Sequence, residues 1–307
     1  MSTALVPIVE AAFEVLPLAQ GAPGEGLPAV PQADGDDHLV EMWIAKHASP
    51  HTRRNYRMQV GRFRAFVARP IRYVRIGDVQ AFAASLQELA PATRATAIGA
   101  VKSLLTFGQE VGFLPFNVGK AVKAPPVKNR LAERIMSEAD VMRMVSLVEG
   151  ARDRAFLTLL YGGGLRVSEA CGLRWKDLAA RDDAGQATVF GKGGKTRAVL
   201  LSSNTWRTLL AQRGEAGPED PVFRSRKKGA CITTRQADRI VGAAAERAGL
   251  SPQISAHWLR HAHASHALDR GAPIHLVQAT LGHASVATTG RYLHARPSES
   301  SARFLGV

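Results

Sequence analysis

The chain has 307 residues, which is enough for two domains with separate cores, and 46% of its residues are hydrophobic, as in ordinary globular proteins. It contains no uncharged apolar run long enough to span a bilayer, and its N-terminus lacks the basic start and cleavage site of a secretory signal. Two cysteines, Cys171 and Cys231, exclude a disulfide framework and a four-cysteine zinc site. We therefore expect a cytoplasmic protein that has no membrane partner and keeps both thiols reduced.

The charge of the chain narrows the class of partner. Forty Lys and Arg residues against 26 Asp and Glu residues give a net charge of +14 and a pI near 10.4. A surplus of this size favours a polyanionic partner, and nucleic acid is the commonest polyanion in a cytoplasm. The alternative is a generally basic protein with no role at nucleic acid, because net charge indicates partner class only weakly.

The first third of the chain predicts a flexible segment followed by a helical domain. Residues 1–36 are rich in Ala, Gly and Pro and contain no Lys or Arg, so we expect them to be flexible and not to bind nucleic acid. Residues 37–118 contain four amphipathic patterns, with Ser49 as a predicted N-cap, and indicate an all-helical domain. A basic cluster early in this domain suits either a phosphate backbone or a solvated helix face. Both interpretations stay open for Arg53, Arg54 and Arg57.

A basic linker and a mixed domain complete the predicted organisation. Residues 119–134 contain a Pro pair and little periodicity, which is typical of an interdomain linker, and Lys120 and Lys123 are further candidates for nucleic-acid contact. In residues 135–307 we predict helices around a single hairpin, whose strands flank the turn GKGG. The fold class that follows is mainly α, with an all-helical N-terminal domain and an α+β C-terminal domain that holds a small antiparallel sheet.

Two short patches in the second half carry charged residues in unusual settings. Arg166 follows the glycines of YGGGL at the start of a helix, and Glu169 lies one turn later, where a carboxylate can orient the guanidinium. Lys192 lies in the hairpin turn, from which a lysine can reach a cleft and donate a proton, and Lys195 is a second candidate there. Each patch also has an ordinary interpretation, as an exposed ion pair and as a polar turn.

Histidine, arginine and tyrosine accumulate toward the C-terminus. The HWLRH motif puts His257 and Arg260 on one helical face, where they suit phosphate oxygens better than a core. His283 follows an apolar helix, and Tyr292 comes nine residues later. Taken alone, this tyrosine is most simply a packing aromatic.

The density of histidines also suggests a metal site, because seven of the ten lie in residues 257–294. However, this stretch has no HExxH motif, and Asp269 is its only carboxylate. The glycines of YGGGL do not follow a predicted strand, which argues against a phosphate-binding loop or a dinucleotide site. We therefore expect neither a metal nor a cofactor.

Taken together, the unusual side chains suit one reaction, the attack of a phenol on a phosphodiester. Arginines and histidines can neutralise the charge on the non-bridging oxygens as phosphorus becomes five-coordinate. A phenol with a pKa of about 10 is a poor nucleophile until its proton is removed or its anion is stabilised. A histidine can do the first, and neighbouring cations can do the second.

Four motifs resemble those of a known family in their order and spacing. GLRVSEACGL, GKGGKTR, HWLRH and LGHASVATTGRYLH are similar to the motifs of the tyrosine recombinases, the phage-integrase and Xer-type group, and the resemblance covers about residues 38–300. It implies a SAM-like helical core-binding domain and a catalytic domain that close around double-stranded DNA. It also implies a homotetramer, or a heterotetramer with a second recombinase, on two DNA sites.

The resemblance further implies a role for each motif residue. Tyr292 is the expected nucleophile, which forms a 3′-phosphotyrosyl intermediate, and Lys192 is the expected general acid for the leaving 5′-hydroxyl. Glu169 is expected to support Arg166. The residues expected to bind and activate the scissile phosphate are Arg166, His257, Arg260 and His283. The expected activity is site-specific recombination, for chromosome dimer resolution or for integration and excision of a mobile element.

Some residues depart from the usual family pattern, and two rival functions stay open. The histidines of HAHASHAL, and Gly290 and Arg291 before the tyrosine, are less usual, and Gly290 is expected to loosen the local helix. The nearest rival is a type IB topoisomerase, which relaxes DNA without exchanging strands. The other rival is a non-catalytic DNA-binding regulator on the same fold.

Overall fold

The computed structural model describes residues 30–126, 130–191, 194–226 and 229–295. The chain divides into two compact units, Met1–Lys128 and Asn129–Val307. Both units are mainly helical, and the second holds a small antiparallel sheet, so the predicted fold class is confirmed. No helix within the described ranges is long and apolar enough to cross a lipid bilayer.

The described part of the first unit contains four α-helices, as the amphipathic patterns predict. They are α1 (Asp36–Ala45), α2 (Pro50–Val67), α3 (Ile76–Ser85) and α4 (Pro91–Glu110). Ser49 is the N-cap of α2, as predicted, and its hydroxyl accepts a hydrogen bond from the Thr52 amide over 3.4 Å. The rings of Trp43 and Tyr56 stack with centroids 4.8 Å apart, which packs α1 against α2.

The packed part of the first unit begins before α1. Ala33 is buried, and the amide of Gln32 donates a hydrogen bond to the carbonyl oxygen of Val111 over 3.0 Å. Residues from position 30 onward therefore belong to the folded unit, although composition assigns them to the flexible segment 1–36. The rest of that predicted segment, residues 1–29, lies outside the described residues.

The predicted linker, residues 119–134, is packed at both of its ends. Its first residues belong to the short 3₁₀ helix Val118–Ala121, and Val122 is buried in the core of the first unit. Near its other end Leu131 is buried in the second unit and is followed by a second 3₁₀ helix, Ala132–Arg134. The two ends of the predicted linker therefore belong to the cores of the units that they adjoin.

Eight α-helices belong to the described part of the second unit. They are α5 (Glu138–Ser146), α6 (Ala151–Gly162), α7 (Val167–Gly172), α8 (Ser203–Leu210), α9 (Thr234–Arg247), α10 (Ala256–Asp269), α11 (Ile274–Leu281) and α12 (Val286–Ala295). The glycines of YGGGL separate α6 from α7, as the sequence predicts. Helix α12 continues without a break through Gly290 and includes Tyr292.

The sheet of the second unit is antiparallel, with strand order β1-β2-β3. Its strands are β1 (Leu178–Arg181), β2 (Ala184–Phe190) and β3 (Thr196–Leu201). The predicted hairpin corresponds to β2 and β3, in which Ala187 pairs with Val199 and both side chains enter the core. Strand β1 is not predicted, because three of its four residues are exposed and it shows no apolar alternation.

A small apolar cluster joins the C-terminal helices of the second unit. We call it the tyrosine cluster, and its members are Leu131, Ile135, Ala264, Val277, Leu281 and Tyr292. It lies beside the main core of the unit, in which Phe156 and Phe223 meet edge to face with centroids 5.0 Å apart. The tyrosine cluster fixes α10, α11 and α12 around the ring of Tyr292.

Candidate active site

Glu169 is the centre of an ion network that joins α7, β3 and the end of α11. Its carboxylate accepts hydrogen bonds from the guanidinium and the amide of Arg166, over 2.9 and 2.8 Å. The guanidinium of Arg197 donates to both of its oxygens, over 2.9 and 2.8 Å, and its Nε donates to the carbonyl of Thr280 over 2.8 Å. Burial alone would raise the pKa of Glu169, but these hydrogen bonds from Arg197 and Arg166 outweigh it and lower the pKa to about 2.

Arg260 is held on the buried side of α10 by two backbone carbonyls. Its Nη1 donates to Gly164 and its Nη2 to Leu281, each over 2.6 Å, and only 4% of the residue is exposed. Burial and then the charge of Arg166 lower the pKa of Arg260 to about 10, so it stays protonated at neutral pH. Because these carbonyls lie just before Arg166 and His283 in the chain, Arg260 brings the two motif segments to one place.

Two glycines make this close approach possible. Gly164 has φ +59°, and a Cβ on it would lie 2.7 Å from the ring of His263. Gly282 ends α11 with φ +62°, and its carbonyl accepts a hydrogen bond from Arg166 over 3.2 Å. Both positions favour glycine for its backbone freedom, and the first also lacks space for any side chain.

His283 and His257 flank the two arginines as neutral imidazoles. Nδ1 of His283 lies 2.8 Å from the hydroxyl of Thr289, which is buried on α12. Burial, and then the charges of Arg260, Arg166 and Arg197, lower the pKa of His283 to about 4. The pKa of His257 is also lowered, first by desolvation and then by Arg260 and Arg166.

Tyr292 lies at the junction of the charged site and the tyrosine cluster. Only 5% of the residue is exposed, and its hydroxyl lies 2.8 Å from Nδ1 of His261. Its ring is parallel to that of His283, with centroids 6.5 Å apart. Burial raises the pKa of Tyr292, and Arg260 and Arg291 oppose this increase. The phenol is therefore protonated at neutral pH in this arrangement.

An open cavity of about 610 Å³ lies beside these groups. His257, Trp258 and His261 of α10 line one part of it, and Arg130 and Arg134 line another. Glu133 also lines the cavity and pairs with Arg130, so Arg134 is the lining arginine that an anion would meet without this carboxylate partner.

Of the two hairpin lysines, the structure describes only Lys195. Lys192 lies outside the described residues, so its predicted place in the site stays a prediction. Lys195 is exposed, and its carbonyl accepts a hydrogen bond from the Gly191 amide over 2.7 Å. A Cβ on Gly191 would lie 3.8 Å from both Glu169 Oε1 and Arg197 Nη1, so the base of the hairpin turn borders the ion network.

The candidates for nucleic-acid contact in the first unit are all exposed, but they differ in their partners. Arg53 donates hydrogen bonds to the carbonyl oxygen of Ala45, the last residue of α1, and to that of His47, two residues later. Arg57 pairs with Glu41 over 2.9 Å, whereas no partner is shown for Arg54 within the described part of the chain. Lys120 and Lys123 are exposed in the linker region.

Three residues of this site were not predicted from the sequence: Arg197, His261 and Thr289. Arg197 and His261 lie inside quoted motifs, one residue beyond GKGGKT and one beyond Arg260, and Thr289 lies in the TTGRY run. Nothing in the linear pattern shows that Arg197 binds Glu169 or that His261 contacts Tyr292, since these partners lie 28 and 31 residues apart in the chain.

The arrangement is suited to holding a phosphate group near a phenol. The guanidinium groups of Arg166 and Arg260 and the imidazoles of His257 and His283 converge, and the charge of Glu169 is already balanced by two arginines. Across the described residues, no group of three or more His, Cys, Asp or Glu side chains is arranged to hold a metal ion. Fixed cations such as these two guanidinium groups can stabilise negative charge on a bound phosphate.

Comparison with known proteins gives the family. The phage integrase family matches residues 132–299, and the N-terminal SAM-like domain of phage integrases matches residues 36–110. Tyrosine recombinase XerC of Myxococcus xanthus is 35% identical over 269 residues, which cover 80% of this chain and 88% of that protein.

Solved structures share the fold. The XerH site-specific recombinase bound to its difH substrate in a pre-cleavage complex has a TM-score of 0.67 at 20% identity, covering 88% of this chain and 82% of that one. A lambda integrase tetramer bound to a Holliday junction has a TM-score of 0.67 at 17% identity, covering 81% and 76%. With the site geometry and the relatives above, these matches show that the chain belongs to the phage integrase family and is a site-specific tyrosine recombinase.

Proposed function

We propose that this recombinase cleaves and rejoins double-stranded DNA through a covalent bond between Tyr292 and a 3′-phosphate. The observation that supports this most directly is that Arg166 and Arg260 bond to the carbonyls just before His283, whose ring lies parallel to that of Tyr292. Such a set of fixed donors stabilises the charge that develops on the non-bridging oxygens. His257, exposed beside the cavity, would be the fourth phosphate ligand.

The leaving 5′-oxygen needs a proton, and we assign this step to Lys192. The assignment is supported by the position of Gly191, the preceding residue, against the Glu169–Arg197 pair. Glu169 would support the reaction indirectly, by orienting Arg166. Because the phosphotyrosyl bond retains the energy of the phosphodiester, a partner strand can reverse the attack with its 5′-hydroxyl and no cofactor is required.

Strand exchange needs two duplexes, and we propose a tetramer of this chain, or of this chain and a second recombinase, on two sites. The lambda integrase tetramer on a Holliday junction supports this by likeness of fold. Residues 37–118 would form a core-binding domain and residues 135–307 a catalytic domain, joined by the linker 119–134. The proposed DNA contacts are Arg53, Arg54, Arg57, Lys120, Lys123 and Lys195.

The biological task that we propose is resolution of chromosome dimers or integration and excision of a mobile element. The XerC relatives support a Xer-like role. Either task would place the protein in the cytoplasm, where bacterial DNA is found. The type IB topoisomerase and the non-catalytic regulator are the less favoured alternatives.

A nicked suicide substrate tests the proposed chemistry. Cleavage near the nick releases a short fragment that diffuses away, so the covalent protein–DNA adduct accumulates. We expect the wild type to give an adduct that survives SDS and Tyr292→Phe to give none. Absence of the wild-type adduct, or an adduct with Tyr292→Phe, would contradict the mechanism. Transfer of the bound strand to a second duplex would further separate recombination from relaxation alone.

A further inference from the structure

The hydroxyl of Tyr292 has a histidine partner to which the family resemblance assigns no role. We propose that His261 is the proton acceptor that activates Tyr292 for attack on the phosphodiester. This inference rests on the proposed function and adds a catalytic residue to it.

The contact between the two side chains is direct. Nδ1 of His261 lies 2.8 Å from the Tyr292 hydroxyl, which is hydrogen-bond distance. Within the described residues no other side chain is shown to bond to this hydroxyl. When the imidazole of His261 carries its own proton on Nε2, its Nδ1 can accept the phenol proton.

The fold holds both partners in place. His261 lies on α10, and Ala264, three residues later on the same helix, packs in the tyrosine cluster with the ring of Tyr292. The ring centroids of His261 and Tyr292 are 5.7 Å apart. The tyrosine cluster therefore sets the geometry of the contact from two helices.

The other two histidines of the site do not make this contact. Nδ1 of His283 bonds to Thr289, and its ring lies parallel to the Tyr292 ring instead of pointing at its oxygen. His257 stacks on His261, with ring centroids 6.2 Å apart, and no hydrogen bond is shown between His257 and the Tyr292 hydroxyl. Of the three imidazoles, His261 is the one that can take the proton without a rearrangement of the site.

Because charged groups surround His261, its pKa depends on whether DNA is bound. Burial, and then the charges of His257, Arg134, Arg260 and Arg291, lower the pKa of His261 to about 4, so it is neutral and able to accept a proton at pH 7. A bound phosphodiester would offset these positive charges and make His261 a stronger base. The tyrosine would then be activated mainly when DNA occupies the site, which limits unproductive reactions.

The proton balance of the cycle closes with groups already described. In cleavage the Tyr292 O–H bond breaks and its proton moves to Nδ1 of His261, while the phenolic oxygen bonds to phosphorus. The bond from phosphorus to the 5′-oxygen breaks, and that oxygen takes a proton from the general acid. In rejoining, the partner strand gives a proton back to the acid, and His261 returns its proton to Tyr292.

The test compares His261→Asn with wild type on the nicked suicide substrate under single-turnover conditions. Asparagine keeps a hydrogen-bonding oxygen near the position of Nδ1 but cannot take a proton at neutral pH. We expect adduct formation at pH 7 to slow by about 100-fold or more, with site binding within about two-fold of wild type. A rate within about three-fold of wild type would overturn the proposal.

His263→Asn is the matched control, because His263 is also on α10 but bonds to the Tyr161 carbonyl over 2.7 Å. We expect it to cleave at nearly the wild-type rate. If His261→Asn is unfolded at the assay temperature, His261→Gln replaces it, with the same expectations.

A fluorinated tyrosine at position 292 separates proton acceptance from positioning. Fluorine lowers the phenol pKa and so reduces the need for a base, and the deficit of His261→Asn should shrink by about 10-fold or more. An undiminished deficit would mean that His261 only positions the ring, and would overturn proton acceptance. In a substrate with sulfur at the bridging 5′ position, the leaving group needs no proton. The slower cleavage by His261→Asn should therefore persist on this substrate. Its disappearance would mean that His261 protonates the leaving group.

Failure of the proposed function gives a different result. If wild type forms no adduct, or Tyr292→Phe forms one, the tyrosine mechanism itself fails. If wild type forms the adduct, Tyr292→Phe does not, and His261→Asn is as fast as wild type, only the role of His261 fails.

Discussion

Glu169 is a buried carboxylate whose charge is balanced by Arg166 and Arg197. Replacing Glu169 with Gln leaves two guanidinium groups without their counter-charge and releases the orientation of Arg166. We expect the free energy of unfolding to fall by about 3 kcal/mol and the cleavage rate to fall as well. Urea unfolding and the adduct assay measure the two effects. Glu246→Gln, at an exposed position on α9, should change neither.

The pH dependence of this contribution follows from the direction of the shift. Because the pKa of Glu169 is lowered from 4.5 to about 2 in the folded protein, its stabilisation is complete above 4.5. It is lost as the pH falls toward 2, so near neutral pH this stabilisation is fully present and does not change with pH.

The histidines of the site act in the same direction as Glu169, but at a higher pH. His261 and His283 each have a pKa lowered from 6.5 to about 4, so the unfolded chain binds their protons first as the pH falls. We expect the free energy of unfolding to decrease between about pH 6.5 and 5, before most carboxylates titrate. Urea unfolding at several pH values measures this. His261→Asn should reduce the decrease, and an unchanged pH dependence in that variant would contradict the prediction.

At the scale of elements, the break between α6 and α7 decides where Arg166 lies. Gly164 adopts φ +59°, and a Cβ there would meet the ring of His263 at 2.7 Å. We expect Gly164→Ala to lower the free energy of unfolding by about 1–3 kcal/mol through backbone strain, and by more if His263 cannot move. Thermal unfolding provides the measurement. Gly172→Ala is the control, because no atom lies within 4 Å of a Cβ at that position. Equal destabilisation by the two variants would contradict the argument.

The helices were predictable because their signals are local. Ser49 caps α2 as expected, since N-cap preference depends on a few neighbouring residues. Strand β1 was not predictable, because its sequence LAAR has no alternation of apolar and polar residues and forms a strand only by pairing with β2. Helix α12 continues through Gly290, and the expectation that this glycine loosens the helix stays a prediction.

The site was only partly predictable for a similar reason. The motifs give the residue types near a phosphate, and the structure brings Arg166, Arg260 and His283 together. The partners of Arg197 and His261 could not be derived, because those contacts cross between elements that are distant in the chain. Lys192 stays a prediction from the motif alone.

At the scale of the whole molecule, the net charge of +14 predicts DNA binding that weakens with salt. Each phosphate contact contributes about 0.9 to the slope of log K against log salt concentration. We expect Arg54→Ala to reduce this slope by about that amount. Glu41→Ala should increase it, because Arg57 then loses its internal partner and is free to bind phosphate. Fluorescence anisotropy at several salt concentrations gives the slopes, and unchanged slopes in both variants would contradict the assignment of this face to DNA.

The tyrosine cluster has a practical consequence for exchanging parts between recombinases. Leu131 and Ile135 pack with Tyr292, although they precede the first long helix of the second unit. A chimera joined after residue 135 would take these two side chains from the other parent and change the packing around Tyr292. A catalytic domain that is moved into another recombinase should therefore begin before Leu131, so that it includes the last part of the predicted linker 119–134.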